Sequence, residues 1–443
     1  MFDIHTKGQT PYSCGSINDN HGFQLLEAFH FALEYANNRT GIFRNVWPEV
    51  TFGGVALDVC QNPTRAGNMI ANIHSGTLKL TTMSQSQNIT INPDNIDVYI
   101  GAFDTDSSIR VADIVNPLGI PQISYGSTSQ ELMDQYKYRY FLRTVPADDK
   151  QARAIISYLK RFDLNNVQVI TSYDSIGVHS KEEFARLARL NRICISQNIT
   201  TGVSGSISVI EAHTTLNKLF SFRDATVVIL FVQDPETLLQ SIENRDDVRN
   251  NFTFIGTDKL GFNHEKWNNA RKLMNGRRAV TFDIETADVP EFDKYLENKN
   301  PENYFFNPWF DDYYQELFQC NFDGRSTKYP EPCPTHLLGI PRAEGYIQDP
   351  YVLYVINAVF SAVFGVDKAL REICPSNSIG VCNLFRTSGE RRQRIMTGIQ
   401  ATNFVDATQQ PFFYEEGGDS SRGYKIWEPL PSAEDNTQYY LED

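Results

Sequence analysis

The stretch Ile96-Asp97-Val98-Tyr99-Ile100-Gly101-Ala102-Phe103-Asp104-Thr105-Asp106-Ser107-Ser108, continued through Leu118 to Gln122-Ile123-Ser124-Tyr125, decides the fold. Ile96 to Ile100 reads as a strand, Asp106 to Leu118 repeats its apolar residues at helical spacing, and Gln122 to Tyr125 returns as a strand. Strand, helix and strand in that order make a parallel unit with a right-handed crossover. The junction Gly101 to Ser108 therefore sits where a strand ends and a helix begins, which is where parallel α/β sheets present groups to ligands. Ile255-Gly256-Thr257-Asp258, after a second strand, is an equivalent junction. Read alone, the Asp, Thr and Ser residues at both places serve equally well as helix caps and turn formers.

The same alternation continues outward. Val50 to Val59, Val167 to Thr171, Ile193 to Gln197, Ala225 to Val232, Phe252 to Gly256 and Val280 to Ile284 read as strands. Ala147 to Phe162 and Lys181 to Leu190 read as amphipathic helices between them. Helices dominate after that: Pro290 to Asn298, Pro308 to Gln319, Gln348 to Ile373 and Glu390 to Gln400. Pro411 to Trp427, with a Gly417-Gly418-Asp419 turn, reads as a hairpin, and the polar loop Lys79 to Asn95 as a mobile segment. The fold class is α/β with mostly parallel sheets, and the chain is long enough for two domains.

The formal charge of -14 argues against a nucleic-acid partner and against a basic membrane-surface patch. The longest apolar run, Tyr351 to Val366, contains Asn357 and Ser361 and falls short of the about 20 residues of a membrane span, so it reads as a buried helix. Met1-Phe2-Asp3-Ile4-His5 carries no basic or long apolar leader, so the chain is either cytosolic or begins where a mature chain would. The pairs Cys320/Cys333 and Cys374/Cys382 bracket short loops suited to disulfides, although spacing alone also permits unrelated reduced thiols. Asn38, Asn88, Asn198 and Asn251 open Asn-x-Thr sequons, candidate glycosylation sites. No Walker loop, dinucleotide fingerprint, HExxH helix or GxSxG elbow occurs, and the histidines have no metal-ligand spacing. The expectation is a protein with no catalytic residues, no metal and no cofactor.

A longer-range pattern is more specific. Ile120 to Ser129, Tyr140-Phe141-Leu142-Arg143-Thr144-Val145-Pro146, Leu26-Glu27-Ala28, Gln151-Ala152-Arg153-Ala154 and Asn307-Pro308-Trp309-Phe310 occur in order. From Phe2-Asp3-Ile4-His5-Thr6-Lys7-Gly8 to Arg422-Gly423-Tyr424 the chain resembles the extracellular ligand-binding region of the class C G-protein-coupled receptors, the metabotropic glutamate receptors above all. The resemblance implies a two-lobed Venus flytrap, periplasmic-binding-protein-like. Each lobe is a mostly parallel sheet flanked by helices, and three crossing segments, near Leu142, Phe282 and Val405, join them. Lobe 1 would be residues 1–142 and 285–405, ligand-binding and dimerising; lobe 2, the closing lobe, would be 143–284 and 406–443. It also implies disulfides Cys14–Cys60, Cys320–Cys333 and Cys374–Cys382, with Cys194 unpaired in this chain because its family partner lies in a following cysteine-rich domain.

The family's pocket carries over by position. Thr105 and Thr128, with backbone groups of Gly126, match residues that hold a ligand carboxylate. Asp258 matches the acid that pairs with the ligand ammonium, and Asp148 a second acid near it. Asp104 and Asp106 flank the carboxylate turn, His21 replaces a pocket tyrosine, and Ile176 replaces the aromatic residue over the ammonium. Leu25, Asn263 and Tyr351 stand where glutamate-binding relatives place basic residues, so the basic clamp is lost. A buried carboxylate without cationic partners is costly, so a neutral or cationic amino acid, or an amine, is the expected ligand. The resemblance further implies an ectodomain at the extracellular face of the plasma membrane, signalling by lobe closure in a homo- or heterodimer packed through lobe 1. Ile109, Ile114, Val115 and Leu118, or Met69, Ile70 and Ile73, are candidate dimer faces and equally candidate core residues. The alternatives are a non-sensing partner subunit of a receptor dimer and a soluble amino-acid-binding protein of the same fold.

Overall fold

A computed structural model describes all residues except 11, 19–20, 82–87, 204–205, 233–234, 258–279, 305, 323–327, 335–336, 428–437 and 440–443; the side chains of 80–81, 88–89, 175–176, 427 and 438–439 are also left undescribed. The chain divides into two compact units. The first comprises Met1–Ser127, Leu132–Val145 and Thr286–Ser421; the second comprises Thr128–Glu131, Pro146–Glu285 and Arg422–Asp443.

In the first unit, Tyr99–Ile100, Gln122–Ser124 and Phe141–Arg143 form a three-stranded parallel sheet. Thr105–Val115 is the crossover helix between the first two strands. Three further helices of this unit pack on one another. Val352–Ile373 packs against His21–Asn37 and against Arg391–Gln400. By length and composition Val352–Ile373 could cross a membrane, but Val352 through Ser361 are all buried here, as expected of a core helix. Its contact with Arg391–Gln400 is close because both sides supply glycine. A Cβ on Gly365 would lie 2.3 Å from Ile399 Cγ1, and one on Gly398 would lie 2.7 Å from the Gly365 carbonyl oxygen.

The second unit is built on a larger sheet. Its strand order is Gln438–Tyr439, Tyr424–Trp427, Val280–Ile284, Thr253–Gly256, Val227–Phe231, Asn166–Ser172, Cys194–Thr201. The five strands from Val280–Ile284 to Cys194–Thr201 run parallel, and the two at the other edge are antiparallel. Val227–Phe231 is buried at every position, which explains its unbroken apolar sequence: a central parallel strand is covered on both faces. Asp148–Arg161 covers part of that sheet. Its acids Asp148 and Asp149 lie in the first turn and its bases Lys160 and Arg161 in the last, complementing the helix dipole, while Ala152, Ile155, Ile156 and Leu159 face the core.

Cys14–Cys60, Cys320–Cys333 and Cys374–Cys382 are disulfide-bonded, and Cys194 is free and exposed. Three readings need correction. Val50 to Val59 is not a strand. Gly53-Gly54 interrupts it, Phe52 spends its backbone hydrogen bonds on the Asn37 side chain (2.8 and 2.9 Å), and only an isolated bridge between Phe2 and Asp58 remains. Pro411 to Trp427 is not a two-stranded hairpin. Pro411–Phe413 pairs with Asn403–Val405 and Tyr424–Trp427 with Val280–Ile284, leaving a single Tyr414–Ser420 bridge across the turn. For the same reason residues 406–421 belong with the first unit, and the chain leaves it after Ser421 rather than near Val405. Ladder bonds to Asn403–Val405 and the contacts of Arg143 with Gly418 and Asp419 hold that stretch.

Candidate ligand-binding site

The strand-to-helix junction of the first unit is built as a helix start. Asp104 caps the helix, its Oδ1 accepting from the Ser107 N–H at 2.8 Å, and Thr105 begins the helix, 6% exposed. Burial raises the Asp104 carboxyl above its usual range, with Asp106 adding to the effect and hydrogen bonds from Ser107 opposing it. Behind the turn lies a hydroxyl network that sequence reading missed. Ser127 Oγ donates to Ser108 Oγ at 2.7 Å, and Ser124 Oγ donates to the Ala102 carbonyl at 2.7 Å. Ser124 Oγ in turn accepts from the Ser127 N–H at 3.0 Å and the Gly126 N–H at 3.3 Å. Serines spaced across a turn carry no periodic signal, so only the folded geometry unites them. Gly126 has to be glycine here, since a Cβ would lie 2.3 Å from the Phe103 ring.

His21 and Tyr351 meet the same junction. The His21 ring lies 4.3 Å from Phe103 and 5.9 Å from Tyr351, and Phe103 lies 4.8 Å from Tyr351, all edge to face. Asp349, which sequence reading did not single out, orients this group. Its Oδ2 is 2.6 Å from His21 Nδ1, and its Oδ1 accepts from the Tyr351 N–H at 2.8 Å. The Asp349 N–H donates to Gln24 Oε1 at 2.8 Å, one helical turn along from His21, so the loop is fastened twice to one helix. Asp3, Asp104 and Asp349 all act on the buried Tyr125 hydroxyl, whose ionisation burial already pushes well above 10. Asp3 itself is raised to about 6, by burial first and Asp104 next. This wall of the first unit is acidic and aromatic. Leu25, 1% exposed, contributes no charge.

In the second unit, Thr128 and Asp148 are brought together: the Asp148 N–H donates to the Thr128 carbonyl at 3.0 Å, and Asp148 is 7% exposed at the first turn of its helix. Thr128 therefore belongs with the second unit and not, as the sequence suggested, with Thr105. Tyr173 follows the strand Asn166–Ser172 and is exposed. Ile176 lies in the first turn of Ser175–Leu190, capped by Asp174 Oδ1 accepting from the Gly177 N–H at 2.7 Å, and its side chain is not described. Asp258 and Asn263 lie outside the described residues.

His5, Asp58 and Cys60 approach one another closely enough to suggest a metal, but the Cys60 sulfur is committed to Cys14, which leaves a His5–Asp58 pair at 2.6 Å. Of the four sequons, Asn38, Asn198 and Asn251 are exposed, and the Asn88 side chain is not described.

The parallel α/β architecture of the two units, with a polar helix start at the end of a strand, puts polar groups where such sheets present them to ligands. Residues 24–432 match the family model described as the receptor family ligand binding region, and the chain belongs to that family. Its fold is periplasmic-binding-protein-like. Among curated proteins it is similar to human metabotropic glutamate receptor 8, with 28% identity over 438 residues. That match covers 97% of this chain and 47% of the relative, so the chain spans about half the relative's length. The chain is thus a class C receptor-like ligand-binding region related to that receptor.

Proposed function

We propose that the chain is the extracellular ligand-binding region of a class C receptor, and that its ligand is an amine or a neutral or cationic amino acid rather than glutamate. One observation carries this reading. Where a basic clamp would be needed, the first unit offers buried Leu25 and Tyr351; Asp349 holds the Tyr351 N–H, and Asp3, Asp104 and Asp349 act together on the Tyr125 hydroxyl. A ligand carboxylate directed there meets like charge in a desolvated setting, whereas an ammonium meets unlike charge. The ligand contacts carried by the resemblance are Thr105, the backbone of Gly126, His21, Tyr351, Asp104, Thr128, Asp148, Ile176 and Asp258. Binding without catalysis, dimerisation through the first unit and signalling by closure of the second, glycosylation at the sequons and a cell-surface location complete the proposal.

The test is a thermal-shift panel of common amino acids, polyamines and biogenic amines on the purified chain, repeated with Asp258→Ala. A ligand that binds the folded state at a concentration 100 times its Kd adds about 2.7 kcal/mol. A shift from an amine or a basic or neutral amino acid, lost in Asp258→Ala, is expected. A shift from glutamate alone would refute the ligand class. No shift from any compound would favour a non-sensing partner subunit, the reading to which the lost clamp also lends support.

A further inference from the structure

The large sheet of the second unit ends on Cys194–Thr201, which pairs with Asn166–Ser172 and has no described strand on its other side. At 8 residues it is the longest strand described. An edge strand offers its outward N–H and C=O groups to any strand that approaches, so proteins defend such edges with charge, proline, bulges or a cover. The first two defences are missing here. Cys194-Ile195-Ser196-Gln197-Asn198-Ile199-Thr200-Thr201 holds no charged residue and no proline, and its isoleucines and threonines favour strand. Uncharged segments of that kind are the ones that pair between copies of a chain. The register shifts once, between Val167 and Gln168, leaving Ser196 unmatched. From Gln197 to Thr201 the pairing is regular, so the bulge leaves the second half of the edge open.

That second half carries a sequon instead. Sequons belong in surface loops, whereas Asn198-Ile199-Thr200 lies within the strand. Asn198 and Thr200 are exposed and Ile199 between them is 3% exposed, the alternation of a strand with one open face. Asn198 Oδ1 accepts from the Thr171 hydroxyl of the neighbouring strand at 3.0 Å. With the oxygen held there, Nδ2, the atom that takes a glycan, faces away from Thr171. Asn38 and Asn251, the other sequons described as exposed, stand at the ends of the helices His21–Asn37 and Asp246–Asn251, away from this edge. We propose that an N-linked glycan on Asn198 closes the open edge of the second-unit sheet against pairing with another copy of this chain. A bulky, hydrated oligosaccharide there does what charge or proline does on other edges: an approaching strand must displace it before any ladder forms. The inference rests on the extracellular reading above, since only a secreted chain acquires such a glycan.

The test begins with the full chain secreted from a eukaryotic cell and its sequon occupancy read by peptide mass spectrometry. A glycan on Asn198 is expected. A bare Asn198 beside an occupied Asn38 or Asn251 would overturn the edge guard and leave the extracellular reading standing. All sequons bare would overturn both. Three substitutions at Thr200 then separate the glycan from the residue, each made with Cys194→Ser so that the exposed thiol forms no cross-link. Thr200→Ser keeps the sequon and should keep the parent's particle mass in static light scattering. Thr200→Ala loses the glycan, and its polypeptide mass per particle should rise at least about twofold as one edge pairs with another. Thr200→Lys also loses the glycan but places a charge on the same edge, and should return the mass to the parent's value. An unchanged mass in Thr200→Ala, or equal association in Thr200→Ala and Thr200→Lys, would overturn the proposal. Where Thr200→Ala is secreted poorly, trimming the folded parent's glycans to the first sugar gives the same comparison against Thr200→Lys treated alike: association of the trimmed parent alone is expected, and its absence overturns the edge guard.

Discussion

Arg143 Nε and Asp419 Oδ1 lie 2.6 Å apart, though 276 residues separate them in sequence. The arginine side chain is 1% exposed and the aspartate 9%, so the pair is desolvated. The Arg143 N–H also donates to the Gly418 carbonyl at 3.1 Å. Each residue stands two positions before the chain leaves the first unit, at Val145 and at Ser421. The pair therefore fastens two of the departing segments to each other within that unit.

Asp419→Ala should cost about 3–5 kcal/mol in urea unfolding, because it leaves a buried guanidinium without its carboxylate. Replacing both partners, as Arg143→Met with Asp419→Leu, should cost clearly less. Equal losses for the single and the paired change would show that packing, and not charge, is at stake.

Gly398→Ala should destabilise the chain by about 1–3 kcal/mol despite the helix-propensity gain of about 1 kcal/mol that alanine brings. The added methyl meets the Gly365 carbonyl oxygen at 2.7 Å, and a backbone atom cannot step aside. A higher melting temperature in the variant would contradict the close helix contact.

The contribution of Asp3 to stability should rise as pH falls from about 7 towards 4. The folded-state pKa of Asp3 is raised to about 6 from 3.8, so between those values the folded chain holds a proton that the unfolded chain has released. The destabilising effect of its ionised form is complete above about pH 6 and disappears below the unfolded pKa. The full span corresponds to roughly 3 kcal/mol. Asp3→Asn retains an acceptor for the Gln61 N–H, now 2.6 Å from Asp3 Oδ1, and should flatten this part of the pH profile. An unchanged profile in chemical unfolding would rule Asp3 out as its source.

Alkylation of the native, unreduced chain should modify Cys194 alone, as judged by peptide mass spectrometry, since the other six cysteines are paired. Removing Cys320–Cys333, which closes a loop of 13 residues, should cost about 3 kcal/mol. Modification of Cys320 or Cys333 without reductant would contradict the pairing.

The parallel core was legible because its pattern is local. Val280 to Ile284 is a strand with the bounds read from the sequence, and Ala147 to Phe162 became a helix at Asp148–Arg161. The failures share a cause. Val50 to Val59 has strand composition but pairs only at the Phe2–Asp58 bridge, and Pro411–Phe413 had an alternative partner in Asn403–Val405 that no turn signal announces. In the candidate site, Thr105, His21 and Tyr351 could be named in advance, but Asp349, Phe103 and the Ser108–Ser124–Ser127 network could not.

By itself, then, the sequence determined the α/β class, the strand-to-helix junction at Gly101 to Ser108 and the family, because periodicity, caps and ordered motifs are properties of neighbours along the chain. Tertiary structure alone decided that Asp349 holds His21, that Arg143 is neutralised by Asp419, and that residues 406–421 stay with the first unit. Those outcomes depend on which buried polar group finds a partner hundreds of residues away, and desolvation settles that choice only when the chain is packed.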